Sequence, residues 1–202
     1  MTVTWVRGWA VSRGVPEPVA IDGGVRVDAG SRPGTRYVLH TATRESVTRI
    51  VEEIAGSPGE IKLLGTTEWL RRILPGEWTM LPRNDLMTAP LSRTPVDVPP
   101  PYTAEVIEDG RMLLAKVRDG AGTIAASARL ARVGRCGIVD QVETEPEHRR
   151  RGLGTVAMRL LGNRAPDDGI TTGLLAATAD GRALYSRIGW TAHAEIAGAY
   201  RR

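Results

Sequence analysis

The chain has 202 residues, of which 42% are hydrophobic and 25% charged. These are globular proportions that exclude wholesale disorder and a long multidomain machine. The net charge of +4 is spread over the whole length and is almost entirely arginine, Lys62 and Lys116 being the only lysines, so it makes no case for a nucleic-acid binder. No apolar run reaches signal-peptide or membrane-spanning length, and the single cysteine, Cys136, excludes an intrachain disulfide and fits a reducing cytoplasm. His40, His148 and His193 stand apart without metal-ligand spacing, so no metal is expected.

In chain order, Thr4–Ser12 reads as a first strand, with apolar Trp5, Trp9 and Val11, followed by short strands at Gly24–Val27 and Arg36–His40. Val47, Ile50, Val51 and Ile54 recur at helical spacing from Arg44 to Ala55, and Gly56-Ser57-Pro58-Gly59 stops that helix. A strand at Ile61–Leu64, a short helix at Thr67–Leu74 and a strand at Trp78–Leu81 complete an α/β first part. Pro95, Pro99, Pro100 and Pro101 then mark the boundary between an N-terminal region, residues 1–95, and a second domain, residues 96–202.

The second part opens with a meander of three strands, Tyr102–Ile107, Arg111–Arg118 and Thr123–Arg132, turned at Glu108-Asp109-Gly110 and Asp119-Gly120-Ala121-Gly122, with Gly134 marking the next turn. A strand at Cys136–Thr144, a helix at Leu153–Gly162, a strand at Thr171–Ala176, a helix at Ala179–Ile188 and a strand at Trp190–Ala197 follow. One internal echo crosses the boundary. Leu63-Leu64 through Leu70, Ile73, Gly76 and Trp78-Thr79 matches Leu174-Leu175 through Leu184, Ile188, Gly189 and Trp190-Thr191, the pattern a duplicated half-domain would leave.

The chemistry is concentrated between Val139 and Thr155, which read strand, short loop, helix. Gly152 and Gly154 allow backbone that a side chain would obstruct, so amide N–H groups can converge on an anion at the positive end of the incoming helix. Arg149, Arg150 and Arg151 add positive charge there.

Arg149-x-x-Gly152-x-Gly154 resembles the acyl-CoA signature of the GCN5-related N-acetyltransferase superfamily, and Ala183-Leu184-Tyr185-Ser186-Arg187-Ile188-Gly189-Trp190 resembles that family's A-x-x-L-Y-x-x-x-G-F/Y segment. The resemblance covers about Tyr102 to Tyr200. It implies a mixed, mostly antiparallel α/β sheet flanked by helices, and acetyl-CoA as acyl donor to a primary amine of a small molecule or peptide. It implies coenzyme contacts from Val142, Glu143, Thr144, Arg149, Arg150, Arg151, Gly152, Leu153, Gly154, Thr155, Thr178 and Tyr185. Tyr185 takes the place of the family's general acid, while Asp140, Glu143 and Glu145 stand as alternative bases, their facing left open because a bulge would shift side-chain alternation. The family's two helices after its first strand have no room after Ile107, which leaves that wall to residues before Leu91, or makes the first part a degenerate acetyltransferase-like half. The expected assembly is a monomer or homodimer. A silent acyl-CoA-binding regulatory protein is the alternative.

Overall fold

The computed structural model describes residues 1–30 and 34–202. In chain order its elements are α1 (Thr2–Arg13), β1 (Val19–Ile21), β2 (Gly24–Asp28), β3 (Thr35–Leu39), α2 (Arg44–Glu53), β4 (Gly59–Leu64), α3 (Thr67–Arg71), β5 (Thr79–Met80) and β6 (Asn84–Pro90). They continue with β7 (Thr103–Asp109), β8 (Met112–Arg118), β9 (Ile124–Val133), β10 (Cys136–Thr144), α4 (Leu153–Arg164), β11 (Thr172–Ala177), α5 (Ala179–Arg187) and β12 (Thr191–Arg201).

The strand expected at Thr4–Ser12 is a helix. Trp5 and Trp9 are one helical turn apart, as are Val6 and Ala10, and the same apolar residues that suggested alternation satisfy a 3.6 period. The helix is apolar around much of its circumference because it is buried against the sheet. Trp5, Val6 and Ala10 pack with Val25, Val27 and Val38 as well as with Leu86, Ile138, Leu174 and Ile196. Gly14, at φ 63°, ends it, with the Gly14 and Val15 amides donating back to the Val11 and Ala10 carbonyls. The sequence reading also misses β6, whose Asn84–Pro90 run sits between turn-forming residues.

All strands join one sheet in the order β1-β2-β3-β4-β12-β6-β11-β10-β9-β8-β7, with β5 paired beside β12. The expected mixed, mostly antiparallel α/β architecture is present: among the described residues only β3/β4 and β10/β11 are parallel, each closed by a crossover helix, α2 or α4. The final strand of each run is exchanged. β6, from the first run, pairs with β11, and β12, from the second, pairs with β4; β6 and β12 meet in the middle. The echoing segments therefore occupy equivalent places, each a second parallel strand followed by a threonine-capped helix and a buried tryptophan, Trp78 or Trp190.

Helix α1 lies on one face of the sheet and α2 to α5 on the other. Along β6 this shows as Leu86 joining the α1 core while Met87 packs under α4 and α5, and along β12 as Ile196 and Ala197 pointing to opposite sides. Between β7 and β8 there is only a tight turn, and α1 supplies the helix that covers β9 and β10.

Candidate active site

Strands β10 and β11 begin as a regular parallel pair, with Cys136, Gly137 and Ile138 opposite Thr172, Gly173 and Leu174. Beyond that rung they part: β11 stays with β6 as far as Ala177 opposite Asp85, and β10 stays with β9 as far as Thr144 opposite Ala126. Main-chain groups of residues 139–144 that face β11 have no strand partner there. The cause is a bulge in β10, where the register shifts between Asp140 and Glu143 and Gln141 adopts φ 51°. Because Asp140 opposes Arg129 and Glu143 opposes Ser127, two residues apart on β9, the bulge leaves Asp140 and Glu143 on the same face, the side of α1.

The open end of this wedge is closed by the loop into α4. A 3-10 turn at Pro146–His148 leads to Arg149 in extended backbone, Arg150 at φ 63° and Gly152 at φ 80°. Alternating hands of backbone turn successive N–H groups toward one point. α4 begins there with no side-chain cap and no acidic residue in its first turn, whereas α2, α3 and α5 are each capped by a threonine, Thr43, Thr66 and Thr178. The N–H groups and dipole of α4 are thus free for an external anion. Gly154 permits close packing on α5, since a Cβ there would lie 3.2 Å from Leu184 Cδ2.

Wedge and loop together form a groove of about 900 Å³, whose far side is α5, from its cap Thr178 through Gly181 to Tyr185 in its last turn. The Tyr185 ring is buried, 6.1 Å from the Trp190 ring, and a Cβ at Gly181 would strike it at 2.9 Å. Burial, and to a lesser degree the charge of Asp140, pushes the Tyr185 phenol up to about 12.

A sequence profile of the acetyltransferase (GNAT) family matches residues 67–190, well over half of the chain. The chain belongs to the GNAT acetyltransferase family. Among solved structures it is similar in fold to a GCN5-related N-acetyltransferase from Kribbella flavida, with TM-score 0.71, 16% identity and coverage of 100% of this chain and 96% of that one. A GNAT-family acetyltransferase from Novosphingobium aromaticivorans gives 0.62 at 16% identity, covering 98% and 95%. A tandem GNAT protein from the clavulanic acid biosynthesis pathway gives 0.63 at 11% identity, covering 98% and 86%. Among proteins with curated descriptions there is no significant match. The family match begins at Thr67, so it takes in β6, the strand of the first run that completes the sheet beside β11.

The structure brings all but one of the residues singled out from sequence to this GNAT groove. Val142, Glu143, Thr144, Arg149, Arg150, Gly152, Leu153, Gly154, Thr155, Thr178 and Tyr185 all line it, as do Asp140 and Glu145. Asp140 is held by a bidentate pair with Arg13, at 2.8 and 3.2 Å, and by the Ser12 hydroxyl at 3.0 Å. Arg151 alone turns its side chain away, donating to Tyr102 Oη at 2.9 Å and to the Glu147 carbonyl at 3.2 Å. Arg149 donates from Nε to the Thr144 carbonyl, which ties the loop to the end of β10. Sequence reasoning missed Ser12, Arg13 and Tyr102, all remote from the motif; the three histidines bond elsewhere, His193 to Thr88, His40 to Thr41 and His148 to Tyr102.

The matching junction of the first run is built differently. β3 and β4 stay paired over five rungs, from Thr35–Gly59 to Leu39–Leu63, without a wedge. The N-terminus of α2 is closed by a reciprocal box between Thr43 and Ser46, with Glu45 in the first turn. Among the described residues no group of histidine, cysteine and acidic side chains could hold a metal, and no helix is long and apolar enough to cross a membrane.

Proposed function

We propose that the chain transfers an acetyl group from acetyl-CoA to a primary amine of a small molecule or peptide, by direct attack in a ternary complex. One observation carries this reading: the uncapped start of α4, with left-handed Arg150 and Gly152, lies at the open end of the β10/β11 wedge into which Tyr185 faces. Acetyl-CoA, when bound, supplies the acetyl group as a thioester.

The loop amides from Arg150 to Gly154 would hold the pyrophosphate, with Arg149 and Arg150 adding charge. The unpaired main-chain groups of Val142–Thr144 provide donors toward an acyl carbonyl. Tyr185 keeps its proton across the neutral range, so it serves as an acid and gives that proton to the departing sulfur. Of the three carboxylates, Asp140 is committed to Arg13 and Ser12, whereas Glu143 is exposed on the same face and free to accept the amine proton through a water. The first run, with exchanged β6, a closed β3/β4 pair and a self-capped α2, is a degenerate acetyltransferase-like half that lends structure and no second coenzyme site.

Release of free thiol from acetyl-CoA, followed across a panel of primary amines, tests the reading. Amine-dependent thiol release supports transfer; tight acetyl-CoA binding with no thiol release from any amine supports the silent binder instead.

A further inference from the structure

Arg151 is the one arginine of the cradle loop that the transfer chemistry leaves unused, and its partners form a continuous chain. Arg151 donates from Nη1 to Tyr102 Oη at 2.9 Å, and Tyr102 Oη lies 2.9 Å from His148 Nδ1. On the other side of the imidazole, Nε2 faces Asp119 Oδ2 at 3.7 Å. The proton inventory fixes the direction of the first link. A guanidinium only donates, so the Tyr102 oxygen accepts from Arg151, and the same oxygen shares one hydrogen with His148 Nδ1, as donor or acceptor according to the imidazole tautomer. The 3.7 Å from Nε2 to the Asp119 carboxylate is longer than a direct hydrogen bond, so this last link is one of proximity.

Both ends of the chain are anchored in the scaffold. The other Asp119 oxygen accepts from the Ala121 and Thr123 amides at 2.9 Å each, fixing it in the β8–β9 turn. Tyr102 is buried in the core under α4, and its amide donates to the Pro99 carbonyl. Against these fixed points sits a loop with a conformational demand. Arg150 adopts φ 63°, a region that a residue with a Cβ occupies only where its surroundings hold it there. Its two neighbours do the holding: Arg149 by its bond to the Thr144 carbonyl, and Arg151 by its bonds to Tyr102 and the Glu147 carbonyl.

We propose that Asp119, His148, Tyr102 and Arg151 act as a positioning chain that sets the left-handed backbone at Arg150, and so keeps the cradle amides aimed at the coenzyme before it arrives. The proposal rests on the acyl-CoA reading of the groove. It makes Arg151 a positioning residue whose guanidinium does not touch phosphate, in contrast to Arg149 and Arg150. Without the chain the loop must be ordered by the coenzyme itself, and that cost is taken from affinity rather than from the transfer step.

The test compares the full chain with Tyr102→Phe, His148→Ala and His148→Asn, by calorimetric titration with acetyl-CoA, steady-state kinetics and thermal melting. Tyr102→Phe keeps the buried ring and removes both hydrogen bonds. It and His148→Ala are expected to raise Kd and KM for acetyl-CoA roughly 5- to 10-fold, as the loss of about one hydrogen bond's worth of ordering requires. Turnover number should stay within about twofold. His148→Asn, whose amide can take the place of Nδ1 as acceptor or as donor, should restore affinity close to that of the unaltered chain. Unchanged affinity in both Tyr102→Phe and His148→Ala, with or without a lower melting temperature, overturns the chain as a positioning device and leaves a structural clasp. A fall in turnover at unchanged affinity overturns it as well. If the unaltered chain gives no binding heat with acetyl-CoA, the acyl-CoA reading itself is overturned, an outcome distinct from binding that the variants leave untouched.

Discussion

Gly8 decides how closely α1 approaches the active strand. An added Cβ would lie 2.4 Å from both Cβ and Cγ1 of Ile138 and 2.9 Å from its Cδ1. Carbon atoms in contact sit about 3.5–4.0 Å apart, so α1 must rise by roughly an ångström to admit a methyl group. Ile138 cannot turn aside: it is fully buried on β10, and the offending atoms are the branch itself rather than a flexible end. Overpacking of this kind costs roughly 1–3 kcal/mol, and the immobility of the neighbour places Gly8→Ala toward the upper end. Replacing a helical glycine by alanine returns about 1 kcal/mol of helix propensity. The balance is a destabilisation of about 1–2 kcal/mol, or a melting temperature lower by about 2–8 °C in a chain of this size. Because α1 carries Ser12 and Arg13 to Asp140, lifting it should also raise KM for the amine while leaving acetyl-CoA affinity nearly unchanged. Calorimetric melting and two-substrate kinetics read both effects. The opposite sign, a variant that melts higher, would show that only propensity is felt and that α1 is not seated on β10.

Tyr185→Phe should lower turnover by roughly 10²- to 10⁴-fold with acetyl-CoA affinity unchanged, and because the phenol holds its proton up to about 12, the pH profile of the unaltered enzyme should show no basic limb from Tyr185 in the neutral and mildly alkaline range. Glu143→Gln should cost roughly 10²-fold in turnover, while Glu145→Gln stays near the unaltered rate; equal losses in the two would contradict Glu143 as base. Burial holds the Lys62 ammonium below its usual 10.5, so the unfolded chain binds that proton more tightly and stability should rise with pH as the window from the depressed value up to 10.5 is crossed. Denaturant midpoints measured across that window should show the rise in the unaltered chain and lose it in Lys62→Met.

The second run was legible almost residue by residue because its signals are local: the strand at Cys136–Thr144 coincides with β10, and the Gly152-x-Gly154 turn opens α4 at Leu153. The groove lining followed from the same motif. The remainder depends on contacts distant in sequence. α1 has the spacing of a helix, but apolar residues spread around it, with Trp9 and Val11 half-buried beside the fully packed Trp5, Val6 and Ala10, blur the polar face that would have told it from a strand. β6 is a strand because β11 and β12 flank it, and those partners lie about a hundred positions onward. The commitment of Asp140 to Arg13 spans 127 positions and is invisible to motif reasoning, as is the diversion of Arg151 to Tyr102. The facing of Glu143 needed the bulge at Gln141, which no residue type announces.

A single acyl-CoA site per chain is proposed, in the β10/β11 wedge at the start of α4. Calorimetric titration with acetyl-CoA, run in parallel on the unaltered chain and on Gly152→Val, tests it most directly. A Cβ at Gly152 meets no atom within 4 Å, so the variant is not crowded by its own fold; its cost is a β-branched residue at φ 80° and a side chain in the space the cradle leaves open. The account predicts one molecule bound per chain and an affinity in Gly152→Val at least about tenfold weaker, since losing a charge-assisted hydrogen bond costs roughly 1.5–3 kcal/mol. Two molecules bound per chain, or the same affinity in a folded Gly152→Val, would contradict it.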